Sequence, residues 1–196
     1  MVELKDSTIR PTTHAKVRIL DTANELFYNE GVHTVGVDRI IGESHVTKAT
    51  FYKYYRSKDA LIVAYLQRRD RRARDYLSAL NVDHDTPEQR LRALIGGISH
   101  EIMSSDFHGC PFINAAAQFT DPAHPVRTAV TEHRDWYVAS VEGLFRGLGH
   151  PHPGDAADDF FLARDGAFGS AHLGDPVAAH AALLRALQRI LDEATH

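Results

Sequence analysis

Residues 31–61 constrain the fold more than any other part of the chain, because they combine two short helical patterns, a tight turn and the start of a longer helix. Apolar residues recur at helical spacing in residues 37–41. The chain then turns at residues 43–46, and a second helical pattern follows over residues 47–54. This second pattern offers small, hydroxyl, cationic and phenolic side chains, with Phe51 for the core. The segment therefore predicts a helix-turn-helix, and its second helix has the chemistry that suits a DNA major groove.

A longer pattern of fixed spacing runs through the same segment. Its members are Gly31, Ile40, Val46, Thr47-Lys48-Ala49-Thr50-Phe51-Tyr52, Tyr54-Tyr55, Ser57-Lys58 and Leu61. With these residues the segment resembles the DNA-binding domain of the TetR family of transcriptional regulators. The resemblance implies a three-helix head, residues 1–56, joined by a long helix to an effector-binding and dimerising helical bundle, residues 57–196. No stretch alternates with period two, so we expect an all-α chain of about nine helices.

The resemblance also assigns roles to residues of the motif. It places Thr47, Lys48 and Tyr52 at the groove or its walls, and Tyr54 and Lys58 at phosphates. Ala49 is suited to contact a thymine methyl group. The candidate DNA-binding residues are Thr47, Lys48, Ala49, Thr50, Tyr52, Tyr54 and Lys58.

Two residues depart from the usual pattern of the family. Gly36 stands where a threonine usually opens the first helix of the motif, and glycine has no hydroxyl for capping or for a phosphate. His45 stands where the turn usually has glycine. We expect His45 to adopt the left-handed conformation with mild strain, since histidine is enriched there among non-glycine residues.

The charge of the chain is unevenly distributed. The whole chain has a net charge of −4, which taken alone argues against a nucleic-acid partner. However, residues 1–75 hold 14 Lys/Arg and 10 Asp/Glu, while residues 76–196 hold 8 and 16. This asymmetry indicates a DNA-facing head on an acidic body, although chance unevenness is the alternative.

Composition bounds the compartment and the chemistry. The chain has 196 residues and one cysteine, Cys110, so an internal disulfide bond and a cysteine-rich zinc finger are excluded. No apolar run approaches the ~20 residues that a membrane-spanning helix needs. The N-terminal stretch MVELKDSTIRPTT has no signal-peptide core. We therefore expect a cytoplasmic protein without a membrane partner or a cofactor.

Several helix boundaries can be predicted in the second half of the chain. Thr86-Pro87-Glu88-Gln89 is a capping box, and residues 81–85 before it are a predicted loop. Gly109 is predicted to end one helix, and Pro111 to start another. Asp121-Pro122 is predicted to begin a further helix.

The last two helical patterns, residues 155–172 and 177–194, are rich in alanine. Specific affinity generally comes from pairing two helix-turn-helix heads on half-sites about 34–36 Å apart. The resemblance implies that these two helices form a four-helix interface across a homodimer, whereas packing within one chain is the alternative. The candidate interface residues are Phe160, Ala163, Ala167, Ala181, Leu184 and Leu191.

The central helices are rich in aromatic and methionine side chains, which can either fill a core or line an apolar cavity. The resemblance implies a cavity for an effector, a small molecule whose binding changes DNA affinity. The candidate cavity residues are His100, Met103, Phe107, Cys110, Phe112, Asn114, Phe119, Trp136, Tyr137 and Phe168, with Gln118 and His133 as further polar groups. We expect a repressor that binds a palindromic operator as a dimer and is released by a small hydrophobic effector.

Three other functional classes are alternatives to this interpretation. The grouping of His100, His108 and Cys110 suggests a metal sensor as an alternative. Its spacing is irregular, however, and we predict no metal site. Cys110 comes directly before the predicted helix start at Pro111. A helix N-terminus can activate a cysteine thiol, so a thiol-based sensor is a second alternative. No motif of a hydrolase, phosphate-binding loop or metalloprotease occurs, so an enzyme is not expected.

Overall fold

All regular structure in the described residues is α-helical. The computed structural model describes residues 11–194, with side chains from His14 onward. Within that range the helices are α1 (Pro11–Glu30), α2 (Val37–Glu43), α3 (Lys48–Tyr54), α4 (Lys58–Asp83), α5 (Pro87–Ile102), α6 (Pro111–Ala116), α7 (Pro125–Leu148), α8 (Pro153–His172) and α9 (Pro176–Glu193). None of these helices is long and apolar enough to cross a membrane. The predicted all-α class with about nine helices is confirmed.

The chain divides into two compact units between Tyr65 and Leu66, within α4. The first unit therefore includes α1 to α3 and the first turns of α4, and extends beyond residue 56. Burial explains this extension, because Leu61 and Ile62 are 0% and 1% exposed. Tyr65 packs edge-on against Phe27 of α1, with 5.8 Å between the ring centroids. These apolar side chains of α4 belong to the core of the first unit.

The turn between α2 and α3 follows the sequence prediction. Gly36 is the N-cap of α2 and has extended dihedral angles. His45 is the non-glycine residue with positive φ among residues 11–194, at 51°. The hydroxyl of Ser44, which is buried, donates a hydrogen bond of 2.6 Å to the carbonyl oxygen of Ile40. This bond satisfies the C-terminus of α2 and holds the start of the turn in place.

The second unit consists of the remainder of α4 and of α5 to α9. Its core is apolar, with Leu91, Val126, Val141, Ala157 and Phe160 all fully enclosed. The predicted capping box at the start of α5 is present, since Thr86 accepts from the backbone of Gln89 and the Gln89 side chain accepts from the backbone of Thr86. Asp175 caps α9 by accepting a hydrogen bond of 2.9 Å from the backbone of Ala178.

Three predicted boundaries in the second unit were wrong. α7 begins at Pro125 and not at Asp121-Pro122, because the Asp121 carboxylate closes a turn on the backbone of Ala123 at 2.9 Å. His124 is the cap instead, with its ring Nδ1 accepting from the backbone of Val126 at 3.3 Å. Residues 81–83, assigned to a loop, continue α4, and α5 ends at Ile102, well before Gly109.

Candidate functional site

The N-terminus of α3 is fixed by a side-chain cap. Thr47 Oγ1 accepts a hydrogen bond of 3.1 Å from the backbone N–H of Thr50. The two hydroxyl oxygens of Thr47 and Thr50 are 2.8 Å apart, within hydrogen-bond distance. Thr47 has extended dihedral angles, φ −82° and ψ 157°, as expected of an N-cap residue. The cap therefore defines where the helix begins and orients the residues of its first turn.

The outer side of α3 is open to solvent, while Phe51 is fully buried beneath it. Thr47, Lys48 and Ala49 are exposed. Tyr52 is 44% exposed. A short helix that presents hydroxyl, ammonium, methyl and phenol groups in this way has the hydrogen-bonding and apolar groups that contact base edges and phosphates.

Lys48 and Lys58, two of the predicted DNA contacts, occupy different environments. Lys48 Nζ lies 3.3 Å from Asp38, and both side chains are largely exposed. Such a surface pair is worth at most about 1 kcal/mol, so a phosphate can replace Asp38 as the partner. Lys58 Nζ instead donates to the carbonyl oxygen of His33 at 3.2 Å. Partial burial lowers the pKa of Lys58.

A shallow cleft of about 330 Å³ lies between α1 and α3 in the first unit. It is lined by Ala15, Arg18, His45, Val46, Thr47, Thr50, Lys53 and Tyr54. Arg18 donates from Nε to the carbonyl oxygen of Ser44 at 3.3 Å, which places a cation beside the turn. Neither Arg18 nor Lys53 was among the predicted residues. Nothing in the helical pattern of α1 distinguishes Arg18 from other surface cations.

The second unit contains two neighbouring cavities. The α4–α5 cavity has a volume of about 380 Å³ and is lined by Arg69, Arg72, Ala73, Tyr76, Leu77, Leu94, Gly97, Ile98, His100, Glu101, Pro111, Phe112, His133, Tyr137 and Arg164. The α6–α7 cavity has a volume of about 450 Å³ and is lined by Cys110, Phe112, Ile113, Ala116, Ala117, Arg127, Val130, Thr131, His133, Arg134, Tyr137, Phe161, Arg164 and Asp165. Phe112, His133, Tyr137 and Arg164 line both cavities.

The predicted cavity residues divide into two groups. His100, Cys110, Phe112 and Tyr137 line one or both of these cavities. The others lie elsewhere. Met103 is 48% exposed after α5. Phe107 packs edge-on against Phe168 with a centroid distance of 5.1 Å.

Three further candidates are engaged with neighbours outside the two cavities. Asn114 donates to the carbonyl oxygen of His108 at 2.8 Å. Phe119 stacks on His124 with a centroid distance of 4.4 Å. Trp136 lines a separate cleft of about 350 Å³ and carries the Arg74 guanidinium 4.1 Å from its ring centroid.

His133 is held tightly at the boundary between the two cavities. Its ring stacks on Phe112 with a centroid distance of 3.6 Å and an interplanar angle of 4°. Its Nδ1 atom lies 2.8 Å from Asp70 Oδ1. Burial lowers the pKa of His133, although Asp70 opposes this shift. The pKa of Asp70 is also lowered, because hydrogen bonds from Arg74 and His133 outweigh its partial burial.

Arg164 is the charged residue that sequence reasoning missed. It lies on α8 within an apolar stripe, four residues after Phe160 and four before Phe168, and it is only 9% exposed. Its Nη1 atom donates to Asp165 at 2.7 Å. Its guanidinium carbon is 4.1 Å from the centroid of the Phe168 ring. An arginine on the buried stripe of a helix is a sequence signal that could have identified it.

Cys110 lies beside Arg164, and His108 lies beside His172. Cys110 is buried at the N-cap of α6, with Sγ 4.0 Å from Arg164 Nη2. The ring of His108 faces that of His172 at 6.5 Å between centroids. Across residues 11–194, no group of three or more His, Cys, Asp or Glu side chains is placed to hold a metal ion.

The predicted dimer residues on α8 and α9 differ in exposure. Phe160, Ala167 and Leu191 are buried within the chain. Ala163 and Ala181 are half-buried, and Leu184 is 40% exposed. Larger apolar side chains are more open on the same two helices and the turn between them, since Leu162, Leu173 and Val177 are 70%, 88% and 66% exposed.

Known proteins share both the helix-turn-helix and the whole arrangement of helices. The sequence profile of the bacterial regulatory proteins of the tetR family matches residues 19–65. The crystal structure of a TetR-family transcriptional regulator from Streptomyces coelicolor matches with a TM-score of 0.90 and 37% sequence identity, covering 94% of this chain and 97% of that one. The similarity therefore includes the second unit as well as the first.

Two mycobacterial proteins are similar to this chain in sequence. An uncharacterised HTH-type transcriptional regulator of Mycobacterium tuberculosis is 34% identical over 144 residues, which make up 74% of this chain and 68% of that protein. The HTH-type transcriptional activator FasR of Mycolicibacterium smegmatis is 30% identical over 113 residues, or 57% of this chain and 51% of FasR. The proteins that this chain resembles are thus regulators of transcription.

Proposed function

Because this chain belongs to the TetR family of bacterial transcriptional regulators, we propose that it is a repressor that binds a palindromic operator as a homodimer. A small, largely apolar effector releases it from DNA. The observation that carries the proposal is the capped α3 with its solvent-exposed outer side, which carries Lys48 and Tyr52. In a helix-turn-helix this part of the second helix contacts the base edges in the major groove.

Some residues of the motif contact the DNA bases in this proposal, and others contact the phosphates of the DNA backbone. Tyr52 and Ala49 are placed to contact base edges, and the exposed Lys48 exchanges its weak pair with Asp38 for a phosphate. Arg18 and Lys53, beside the turn, add cations to the predicted set. Lys58 serves mainly to join α4 to the His33 carbonyl group, with any phosphate contact secondary.

The small size of a single helix-turn-helix head favours a dimer. A single recognition helix reads only a few base pairs, so two heads on half-sites about 34–36 Å apart are needed for specific affinity. The exposed apolar residues Leu162, Leu173, Val177 and Leu184 on α8, α9 and the turn between them supply a contact surface for a second copy. Ala163 and Ala181 allow close approach, whereas Phe160 and Leu191 support this surface from within the chain.

Regulation requires an effector that prefers one conformation over another, because equal affinity for both states shifts no equilibrium. The two cavities of the second unit are of a suitable volume for a small molecule. Arg69, Arg72 and Tyr76 of α4 line one of them, and α4 begins at Lys58 in the first unit. We propose that effector binding repositions α4 and thereby changes the spacing of the two heads.

A gel-shift titration tests this function. The DNA is the intergenic segment upstream of the protein's own coding region, at stated salt, with and without a panel of apolar compounds. We expect one retarded complex at a single palindrome and its loss with one class of compound. Tighter DNA binding in the presence of a compound would contradict the proposed release of the protein from its operator. Absence of sequence-specific binding under every condition would contradict the proposal.

A further inference from the structure

We propose that the effector carries an acidic group, a carboxylate in the simplest case, which pairs with the guanidinium of Arg164, while its apolar remainder lies along Phe112 and Phe161. This inference rests on the proposed effector function and specifies its chemistry. It starts from the position of Arg164, which lines both cavities and is only 9% exposed.

The hydrogen-bonding capacity of Arg164 is not filled by the protein. A guanidinium has five N–H donors and requires partners when it is buried. Nη1 donates to Asp165 at 2.7 Å, and Nη2 has the weak acceptor Cys110 Sγ at 4.0 Å. Nε is enclosed and has no hydrogen-bond partner in the part of the chain that the structure describes. A carboxylate with two acceptor oxygens matches the donors that remain.

The carboxylate of Asp165 does not neutralise the surrounding charge. Its other oxygen accepts a hydrogen bond of 2.7 Å from Arg134, so one carboxylate faces two guanidinium groups. Arg127 lines the same α6–α7 cavity, donates to the carbonyl oxygen of Ala116 at 3.1 Å, and has a buried Nε without a partner in residues 11–194. The cavity wall therefore holds more positive than negative charge.

Other titratable groups of the wall leave this excess in place. Burial raises the pKa of Tyr137 to about 12, so the phenol stays protonated and neutral. Burial lowers the pKa of His133, which favours the neutral ring near pH 7. On the α4–α5 side, Arg69 and Arg72 accompany Glu101, whose pKa is raised by burial. A cationic cavity in a chain segment that is otherwise acidic favours an anionic ligand.

The apolar walls define the rest of the ligand. Phe112, Ile113, Val130 and Phe161 line the α6–α7 cavity. Arg164 is oriented by two aromatic rings, with its guanidinium carbon 4.1 Å from the Phe168 centroid and 5.6 Å from that of Tyr137. Because this cation is held in position before binding, little side-chain entropy is lost when an anion pairs with it. The ligand class is thus an acid with a short apolar chain or ring.

Isothermal titration calorimetry with octanoate, octanol and octylamine tests the inference, because these probes share one chain and differ in the charge of the head. We expect octanoate to bind about tenfold or more tighter than octanol, and octylamine to bind most weakly. In Arg164→Met, which keeps the bulk but removes the charge, octanoate should lose most of its preference over octanol. Arg146→Met, which removes an exposed arginine of α7, is the matched control and should keep the preference.

Arg164→Lys guards against misfolding of the Met variant, and it should retain part of the preference for octanoate. Equal binding of octanoate and octanol to the wild-type protein would overturn the inference, as would an undiminished preference for octanoate in a folded Arg164→Met variant. So would the failure of every straight-chain acid from butanoate to dodecanoate to bind. Arg164-dependent binding of octanoate with unchanged DNA affinity would leave the ligand chemistry intact and contradict the proposed release from DNA.

Discussion

His133 Nδ1 lies 2.8 Å from Asp70 Oδ1, so a hydrogen bond joins α7 to α4 beside the proposed effector cavity. The pKa of Asp70 is lowered, so its carboxylate is ionised near neutral pH. An ionised carboxylate accepts hydrogen bonds and does not donate them. The pKa of His133 is lowered by burial, so the ring is neutral there and must carry its proton on Nδ1. The bond thus fixes the tautomer of His133 and its stacking on Phe112.

The first prediction concerns pH. Because the folded state lowers the pKa of His133 below its unfolded value near 6.5, the unfolded chain binds the proton more readily. The stability due to the neutral ring is therefore present above that value and is lost as pH falls below it. His133→Gln should reduce the fall in unfolding free energy between pH 7 and 5.5, by up to about 1.4 kcal/mol per pH unit.

Urea unfolding of the wild-type protein and of His133→Gln at several pH values measures this effect. An identical slope in wild-type protein and His133→Gln would show that this histidine is not the titrating group.

The second prediction concerns the cap of α2. Gly36 has φ −79° and ψ 151°, close to the values of Thr47, which caps α3 through its hydroxyl. A Cβ added at Gly36 meets no atom within 4 Å. Gly36→Thr should therefore cap α2 and raise the free energy of unfolding by a few tenths of a kcal/mol. Comparison of the thermal unfolding of Gly36→Thr with that of Gly36→Val, which lacks the hydroxyl, checks this prediction. Equal stability of the two variants would refute the capping role.

The third prediction compares two adjacent glycines of α5. A Cβ at Gly97 would lie 2.2 Å from the Tyr76 hydroxyl, whereas one at Gly96 meets nothing within 4 Å. Gly96→Ala should stabilise the helix by about 0.5–1 kcal/mol. Gly97→Ala should displace Tyr76 from the cavity wall and break its 3.1 Å hydrogen bond to Ala93. We expect Gly97→Ala to be less stable than Gly96→Ala by about 1–2 kcal/mol in urea unfolding; similar stability would mean that Tyr76 moves without cost.

The fourth prediction concerns the dimer. Leu162 is 70% exposed on α8, and Val82 is 82% exposed at the end of α4. Leu162→Glu places a charge in the proposed interface and should shift the protein from dimer to monomer in sedimentation velocity at micromolar concentration. Val82→Glu adds the same charge elsewhere and should remain dimeric. A dimeric Leu162→Glu variant would assign the interface to another surface.

The sequence predicts the first unit more fully than the second. Gly36, the turn at His45 and the cap at Thr47 each have a local signal, because dihedral preferences and capping chemistry act over a few residues. The start of α7 was missed since both Pro122 and Pro125 are suited to a first helical position. That choice depends on which of Asp121 and His124 finds a backbone partner, and the pattern of residues does not contain this information.

The cavity shows a different limit of sequence reasoning. His100, Cys110, Phe112 and Tyr137 line one or both of the two cavities, but Phe107, Asn114, Phe119 and Phe168, which are of similar aromatic or polar types, lie elsewhere. Residue type does not tell which side of a helix faces a space, since that depends on how α6, α7 and α8 pack. Arg164 carried a signal in its apolar surroundings on α8, and a search for charged residues on buried stripes would have found it.

The operator affinity of Lys48→Ala and Tyr52→Ala, measured by fluorescence anisotropy over a range of salt, tests whether the outer side of α3 binds DNA. Both side chains are exposed on α3, so neither change should unfold the protein, and thermal unfolding verifies this. We expect each variant to lose about 1–3 kcal/mol of binding, with a salt slope reduced by about one for Lys48→Ala alone. Arg92→Ala, which removes an exposed cation from α5, should bind as the wild-type protein does. Unchanged affinity in both folded α3 variants would contradict the account.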